Sequence, residues 1–225
     1  MEEDALLLVK AVRAALDAGK VVLEVYDSDY AVEHKEDLSP LTQADRKSHD
    51  LLMDALSIDG LPVLSEEGRE IPYEERKRWE RLWIVDPLDG TKEFIKRNGE
   101  FTVNIALVEY GKPVIGVVYV PVPRLLYFAA RDVGAYKTED PAVLAGDADT
   151  LRMQTLLQHA RRLPMPQQSD RPFTIVGSRS HAGPELKNFV EEKRREHGHV
   201  EFISAGSSLK ICLVAEGKAD MYPRL

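Results

Sequence analysis

An alternating hydrophobic segment between residues 101 and 121 constrains the fold of this chain most strongly. Its sequence, "FTVNIALVEYGKPVIGVVYVP", places apolar residues at every second position on either side of "YGKP". Alternation of this kind is typical of strands with one buried face, and a Gly and Pro between two such runs are typical of a turn. The segment therefore predicts a β-hairpin, and the "LLYFAA" that follows predicts a third antiparallel strand.

The segments on either side of this hairpin favour a layered α/β fold. Residues 4–27 and about 42–56 have apolar positions at helical spacing, and "LPVLSEE" and "RLWIVD" predict short buried strands. Residues 138–172 are polar and contain four prolines, which predicts a loop-rich excursion with one short helix. After it, "FTIVGS" and "EFISAG" predict strands, and "GPELKNFVEEKRRE" and "SSLKICLVAEG" predict helices. Helices, a meander and then strand–helix units indicate packed layers of α and β structure.

Composition and charge exclude several classes of function. At 225 residues and 44% hydrophobic, the chain can bury a substantial core. A net charge of −8 argues against a surface that coats nucleic-acid polymers, although a small anionic substrate remains compatible with it. A single cysteine, an acidic N-terminus and a longest apolar run of only "VIGVVYV" predict a cytoplasmic protein with no transmembrane segment.

Two aspartates stand where a predicted strand ends, in "WIVDPLDGTKEF" at residues 83–94. Asp86 and Asp89 repel each other unless a cation lies near them, and hard cations such as Mg²⁺ prefer oxygen ligands. The carbonyl of Leu88 could add a further ligand, and the N–H groups of Gly90 and Thr91 could hold a phosphate. A turn in which an aspartate caps a helix explains the local pattern equally well.

Two further acidic segments extend this hypothesis. Glu66 and Glu67 end the short run "LPVLS", and one of them could join the same cation from a neighbouring strand; a solvated turn is the alternative. Thr42 and Asp45 have the spacing of a helix capping box, which is the stronger interpretation of that pair. Asp45 could otherwise bind a second cation or orient a water molecule.

Two Ser- and Gly-containing segments follow predicted strands in the second half of the chain, "GSRSH" at 177–181 and "GSSLK" at 206–210. Small residues next to a cationic side chain suit contact with a phosphate or a polar ligand. An N-cap role explains Ser207 or Ser208 equally well. Neither a dinucleotide-binding fingerprint nor a P-loop is present in the sequence.

Taken together, "SPLTQAD" at 39–45, "SEE" at 65–67 and "DPLDGT" at 86–91 resemble the inositol monophosphatase-like superfamily of metal-dependent phosphatases. Within it, "DGTKEF", "GSRSH" and "GSSLKICLVAEGKADMYPR" resemble the bacterial 3'(2'),5'-bisphosphate nucleotidase branch. The resemblance implies an αβαβα sandwich and a Mg²⁺ cofactor. It also implies removal of the 3'-phosphate from adenosine 3',5'-bisphosphate, a small-molecule by-product of sulfate assimilation.

The resemblance also implies roles for individual residues. The implied Mg²⁺ ligands are Glu66 (rather than Glu67), Asp86, Asp89 and the carbonyl of Leu88. Asp45 and Thr91 would position and deprotonate the attacking water, with Glu66 part of the same catalytic set. The implied substrate contacts are Leu88, Asp89, Gly90, Thr91, Lys92, His181, Ser207, Lys210 and Arg224.

One departure from the family pattern concerns the end of the chain. Family members continue past "YPR" into a Trp-Asp-x-Ala-Ala-Gly segment whose aspartate is another metal ligand, whereas this sequence ends at Leu225. We therefore expect a truncated C-terminal part within one phosphatase unit, divided at about residue 137 into an N-terminal half and an incomplete C-terminal half. The alternatives are an inositol or other sugar phosphatase, a non-catalytic nucleotide-binding form, and a protein whose acidic turns are only caps.

Overall fold

The computed structural model describes residues 2–28, 32–34, 40–146, 151–166, 171–178 and 183–224. Two long helices form the first layer, α1 (Glu2–Tyr26) and α2 (Gln43–Ser57), as the helical spacing predicted. The short strands β1 (Val32–His34) and β2 (Pro40–Thr42) pair as an antiparallel hairpin between them. The described helices contain no apolar stretch long enough to cross a membrane.

A seven-stranded sheet forms the second layer, and its strands lie in chain order. The strands are β3 (Val63–Ser65), β4 (Arg81–Asp89), β5 (Thr102–Glu109), β6 (Lys112–Val120), β7 (Leu125–Ala130), β8 (Gly134–Thr138) and β9 (Arg161–Arg162). Strand β3 runs parallel to β4, and every later neighbour is antiparallel. The predicted hairpin is confirmed as β5–β6, and the predicted third strand is β7.

The main core lies between the two long helices and this sheet. Inward residues of α1 such as Leu8 and Leu16 pack with Trp83, Ile105 and Phe128 of the sheet, and all five are essentially removed from solvent. Burying one large apolar side chain contributes about 1.5–3 kcal/mol to stability. The apolar faces of the long helices and of the strands are buried in the same interface. This core holds the strand ends at fixed positions.

The region from 138 to 172 contains more regular structure than the single short helix expected there. The described residues include α5 (Pro141–Leu144), α6 (Met153–Gln158) and β9, and β8 precedes them. Asp140 caps α5 by accepting a hydrogen bond from the Ala142 N–H at 2.8 Å. The prediction of a loop with one helix was wrong because elements of two to six residues leave almost no periodicity.

A second, parallel sheet forms the C-terminal layer. It consists of β10 (Phe173–Ser178) and β11 (Val200–Ala205), joined through α7 (Pro184–His197), and β11 leads into α8 (Leu209–Ala215). All four elements were predicted from their sequence patterns. Met221 forms a further parallel bridge to Ile175, so the chain returns beside β10. The remaining helices are α3 (Tyr73–Arg76) and α4 (Thr91–Ile95).

Candidate metal-phosphate site

The ends of β3 and β4 bring two predicted ligands together. The two strands are parallel with Ser65 opposite Val85, and the Glu66 N–H donates to the Val85 carbonyl at 3.1 Å. Glu66 therefore directly follows β3, and Asp86 lies in β4 directly after Val85, the partner of the last β3 residue; β4 continues to Asp89, three residues beyond the predicted strand end. Burial, the charges of Asp89 and Glu66, and a side-chain hydrogen bond to Glu66 raise the pKa of Asp86 to about 8. Such a crowded carboxylate favours a bound proton or a cation.

An irregular strand end turns the chain between the two aspartates. Asp86 is opposite Asn104, but the register then shifts, and Asp89 is opposite Thr102. The Leu88 N–H donates to Asp86 Oδ1 at 3.2 Å, and the Leu88 side chain is buried with Phe94. Bulges of this kind re-aim side chains where strand pairing ends. The buried Leu88 thus anchors the turn that carries both carboxylates.

Gly90 begins the short helix α4 without any side-chain cap. Its φ of 95° lies in the left-handed region, and an added Cβ would lie 3.2 Å from the Ser207 Cβ. The hypothesis that an aspartate of this turn caps the helix is therefore wrong, since the N-cap residue is Gly90 and no side-chain hydrogen bond caps α4. Thr91 is the first helical residue, and the structure gives no hydrogen bond between its hydroxyl and a carboxylate of the described chain. The absence of a Cβ at Gly90 allows the turn at Gly90 and the loop at Ser207 to approach each other closely.

Helix α2 is tied to both strand ends. Asp45, in its first turn, is buried. One turn later, the Ser48 hydroxyl donates to the Pro87 carbonyl at 2.8 Å, and His49 Nδ1 lies 2.8 Å from Ser65 Oγ. Sequence reasoning missed Ser48 and His49, although their spacing of three and four residues from Asp45 places them near the same helix face. The side chain of Thr42 is outside the described part of the structure, so the capping box stays a prediction.

Six of the predicted substrate residues line one cavity of about 450 Å³, whereas the predicted contacts Leu88 and Thr91 are not among its lining residues. Asp89, Gly90, Ser207, Lys210 and Arg224 all contribute to its wall, together with Lys92. His181 lies outside the described residues, as do Arg179 and Ser180 of "GSRSH". Sequence reasoning did not include Glu93, Glu185 and Tyr222, which also line the cavity and have no distinctive motif.

The loop that begins α8 forms the other wall of this cavity. Ser207 has a φ of 46°, and its carbonyl accepts a hydrogen bond from Lys210 Nζ at 2.6 Å. Burial lowers the pKa of Lys210, and the nearby Arg224 lowers it further, although Asp89, Glu93 and Glu100 oppose this shift. A partly buried ammonium group in a cavity is suited to bind an anionic group.

Ser208 does not act as the helix cap that the sequence suggested. It is the N-cap residue of α8, but the structure gives it no side-chain cap hydrogen bond. Its hydroxyl instead donates to Asp89 Oδ2 at 2.8 Å and accepts from Asn104 Nδ2 at 3.0 Å. The Leu209 N–H makes a long contact of 3.4 Å to Ser207 Oγ. The Ser208 side chain is therefore directed at the Asp89 carboxylate.

The donor set suits a hard divalent cation. Within the described ranges, no three His, Cys, Asp or Glu side chains converge closely enough to hold an ion by themselves. Glu66 and Asp86 are in contact, the charge of Asp89 acts on Asp86, and all available donors are oxygens. Mg²⁺ is held in many sites by one or two carboxylates, with water and substrate phosphate completing its octahedron. The residues present thus fit such an ion.

Comparison with known proteins identifies the family of this chain. The model of the inositol monophosphatase family matches residues 4–225. The 3'(2'),5'-bisphosphate nucleotidase CysQ of Escherichia coli K12 is 45% identical over 97% of this chain and 80% of the relative. The corresponding Haemophilus influenzae protein is 34% identical over 97% of this chain and 75% of the relative.

Solved structures give the same result for the fold. The crystal structure of CysQ from Bacteroides thetaiotaomicron has a TM-score of 0.87 at 48% identity, covering 98% of this chain and 80% of that one. The extragenic suppressor protein SuhB from Bartonella henselae has a TM-score of 0.69 at 27% identity, with coverage of 96% and 77%. The layered α/β architecture is therefore that of these proteins, and the chain belongs to the inositol monophosphatase family.

Proposed function

We propose that this chain is a Mg²⁺-dependent phosphomonoesterase that converts adenosine 3',5'-bisphosphate to AMP and phosphate. One observation carries the proposal: the Asp89–Gly90 turn, Lys210 and Arg224 all line one cavity. The relatives named 3'(2'),5'-bisphosphate nucleotidase, at up to 45% identity over 97% of the chain, support this choice of substrate.

Glu66, Asp86, Asp89 and the Leu88 carbonyl are the proposed ligands of Mg²⁺. When bound, the cation supplies Lewis-acid stabilisation of the charge that develops on the phosphoryl group. The ligands would act by holding the cation beside that group. The buried strand ends hold these oxygens in place before substrate arrives, so little reorganisation is needed during the reaction.

Asp45 and Thr91 are the proposed groups that orient and deprotonate the attacking water. A water oxygen forms the new bond to phosphorus, the bond to the ribose 3'-oxygen breaks, and that oxygen takes up a proton. Asp45 is buried next to the strand ends, and its α2 neighbour Ser48 bonds to Pro87, so the helix and the turn have a fixed spacing. Positioning of this kind supplies much of the catalysis in phosphoryl transfer.

Gly90, Thr91 and Lys92 are the proposed contacts of the scissile phosphate. Leu88 and Asp89 lie beside it in the same turn. Ser207, Lys210, Arg224 and His181 are the proposed contacts of the rest of the nucleotide. Lys210 and Arg224, which line the cavity, suit a substrate that carries a second phosphate. An inositol monophosphate lacks this second phosphate.

Phosphate release tests the substrate. Adenosine 3',5'-bisphosphate and inositol 1-phosphate are compared at the same saturating Mg²⁺ concentration, and we expect faster turnover of the nucleotide. Equal or faster release from inositol 1-phosphate supports the sugar phosphatase alternative. Nucleotide binding by calorimetry without hydrolysis supports the non-catalytic alternative.

Substitution of Asp89 tests the site. Asp89→Asn keeps the side-chain shape but removes the charge, so we expect loss of phosphate release by about 100-fold or more with an unchanged fold, as for other electrostatic groups at reaction centres. Circular dichroism and thermal unfolding check the fold. Wild-type turnover by Asp89→Asn would contradict the metal-phosphate assignment and favour acidic turns with a structural role.

The remaining expectations belong to the same proposal. The chain is proposed to act as one phosphatase unit with halves that meet near residue 137, on a small-molecule nucleotide and in the cytoplasm.

A further inference from the structure

Three separated chain segments meet in one hydrogen-bond chain at Asp89. Asn104 Nδ2, on β5, donates to Ser208 Oγ at 3.0 Å, and Ser208 Oγ donates to Asp89 Oδ2 at 2.8 Å. Both distances are within the normal range for hydrogen bonds. Thr102 Oγ1 also approaches Asp89 Oδ2, but at 3.5 Å, which makes a much weaker contact. Ser208 is therefore the principal hydrogen-bond partner of the Asp89 carboxylate among these side chains.

The directions of these hydrogen bonds follow from the available donors. An ionised carboxylate only accepts, so the single hydroxyl proton of Ser208 goes to Asp89. The Ser208 oxygen must then accept from the amide nitrogen of Asn104, which fixes the orientation of that amide. Its Oδ1 consequently faces away from Ser208, and it is buried with no hydrogen-bond partner in the described part of the structure.

An unpaired buried acceptor is costly, by about 1–3 kcal/mol. A strand position such as Asn104 could hold an apolar residue without this cost. Asn104 lies opposite Asp86 in the strand register, and it lines a second opening of about 420 Å³ with Asp86 and Glu66. The amide is therefore beside the candidate metal ligands, where its nitrogen orients Ser208.

We propose that Ser208 and Asn104 are positioning residues that hold the Asp89 carboxylate in the orientation needed to ligate the divalent cation. This inference rests on the proposed function. With Oδ2 held by Ser208, the Asp89 side chain is restricted in rotation, and Oδ1 would be the oxygen that holds the ion. Ser208 comes from the loop that also carries Ser207 and Lys210, so the substrate wall of the cavity and a metal ligand of the main sheet are mechanically linked.

Loss of a group that orients a metal ligand commonly costs 10- to 100-fold in metal affinity or activity. Among the described residues, Ser208 is the only one that donates a side-chain proton to Asp89 at short distance, so we expect Ser208→Ala to raise the dissociation constant for the cation about 10- to 100-fold. Ser208→Thr keeps the hydroxyl and is expected to remain within about 3-fold of wild type. Asn104→Leu keeps the size of the side chain and is expected to weaken binding less than Ser208→Ala, because it acts through Ser208.

Manganese ion alone serves as the probe, and electron paramagnetic resonance of the free Mn²⁺ measures binding without any reaction. The full chain is titrated as wild type, Ser208→Ala, Ser208→Thr, Asn104→Leu and the Asn104→Leu/Ser208→Ala double variant. Ser57→Ala, at the exposed end of α2, is the matched loss of a serine hydroxyl and is expected to bind like wild type. The double variant should bind no more weakly than Ser208→Ala alone.

The outcomes separate this inference from the proposed function. Wild-type affinity in a folded Ser208→Ala variant, with Mn²⁺ binding intact in the wild type, refutes the positioning role only. Failure of the wild type to bind Mn²⁺ overturns both. If Ser208→Ala does not fold, Asn104→Leu becomes the deciding variant: unchanged affinity refutes the role, and a weakened affinity with an unchanged melting temperature supports it.

Discussion

Replacement of Glu216 by glutamine tests the contact between the seven-stranded sheet and the chain segment after α8. Its carboxylate is shielded from solvent directly after α8, accepts a hydrogen bond from the Tyr127 hydroxyl, and lies 3.2 Å from Lys137 Nζ. Lys218 Nζ lies 2.9 Å away but is half exposed. Burial favours a higher pKa, but the hydrogen bonds and charges of Tyr127, Lys218 and Lys137 hold the pKa of Glu216 below its ordinary value of 4.5.

The expected loss of stability follows from the Lys137 contact. Coulomb's law at 3.2 Å gives a gross attraction of about 5 kcal/mol at an effective dielectric constant of ~20. Desolvation offsets much of this, and breaking a buried pair from one side typically costs about 3–5 kcal/mol. Glutamine can still accept from Tyr127, and Lys137 keeps Glu139 at 3.1 Å. We therefore expect Glu216→Gln to lower the free energy of unfolding by about 3 kcal/mol, the lower end of that range.

Urea unfolding followed by circular dichroism measures this difference. For a chain of this size, the melting temperature should fall by roughly 6–12 °C. Lys137→Met combined with Glu216→Gln removes both charges, so the double variant should lose less stability than the sum of the two single variants. Glu139→Gln, at an exposed partner, is the matched control and should change stability by less than about 1 kcal/mol. Additive single effects, or a loss below about 0.5 kcal/mol for Glu216→Gln, would refute the reasoning.

The pH dependence of the same variant has a definite sign. Because the pKa of Glu216 is lower in the folded state, its contribution is complete above the unfolded value of about 4.5 and is lost as the pH falls through the folded value. The difference in unfolding free energy between wild type and Glu216→Gln should therefore be constant near pH 7 and shrink below about pH 4.5. A difference that grew on acidification would contradict the assignment.

Two further substitutions test how the site is supported. Gly206→Ala places a Cβ 2.8 Å from the Glu100 carbonyl oxygen, so we expect the free energy of unfolding in urea to fall by about 1–3 kcal/mol. Gly116 has open space around it, so Gly116→Ala should leave the stability nearly unchanged. Arg97 Nη1 donates to the Tyr26 carbonyl at the end of α1, 2.6 Å away. Arg97→Met removes this donor and should lower the free energy of unfolding by about 2 kcal/mol in thermal unfolding. An unchanged melting temperature would count against this capping role.

Much of the fold could be predicted because its long elements have clear periodicity. Helix α1, the β5–β6 hairpin and the β10–α7–β11–α8 order were all predicted from local patterns of apolar residues, which need no knowledge of distant contacts. Strands β8 and β9 were missed because their sequences, "GAYKT" and "RR", show no alternation of buried apolar residues. Lys137 of β8 is buried and pairs with Glu216, 79 residues later in the chain.

The features of the candidate site likewise fall into two groups, those that a local sequence pattern predicts and those that only the tertiary packing decides. Local sequence alone determined that carboxylates follow two short apolar runs and that a glycine opens the turn after Asp89, because strand ends and turns have short-range signatures. Only the tertiary structure decided that Ser208 holds Asp89 instead of capping its helix, that Asn104 orients Ser208, and that α2 bonds to both strand ends. The Ser208–Asp89 and Asn104–Ser208 contacts join residues 119 and 104 positions apart. Contacts at such separations depend on how the layers pack, so no local pattern of residues encodes them.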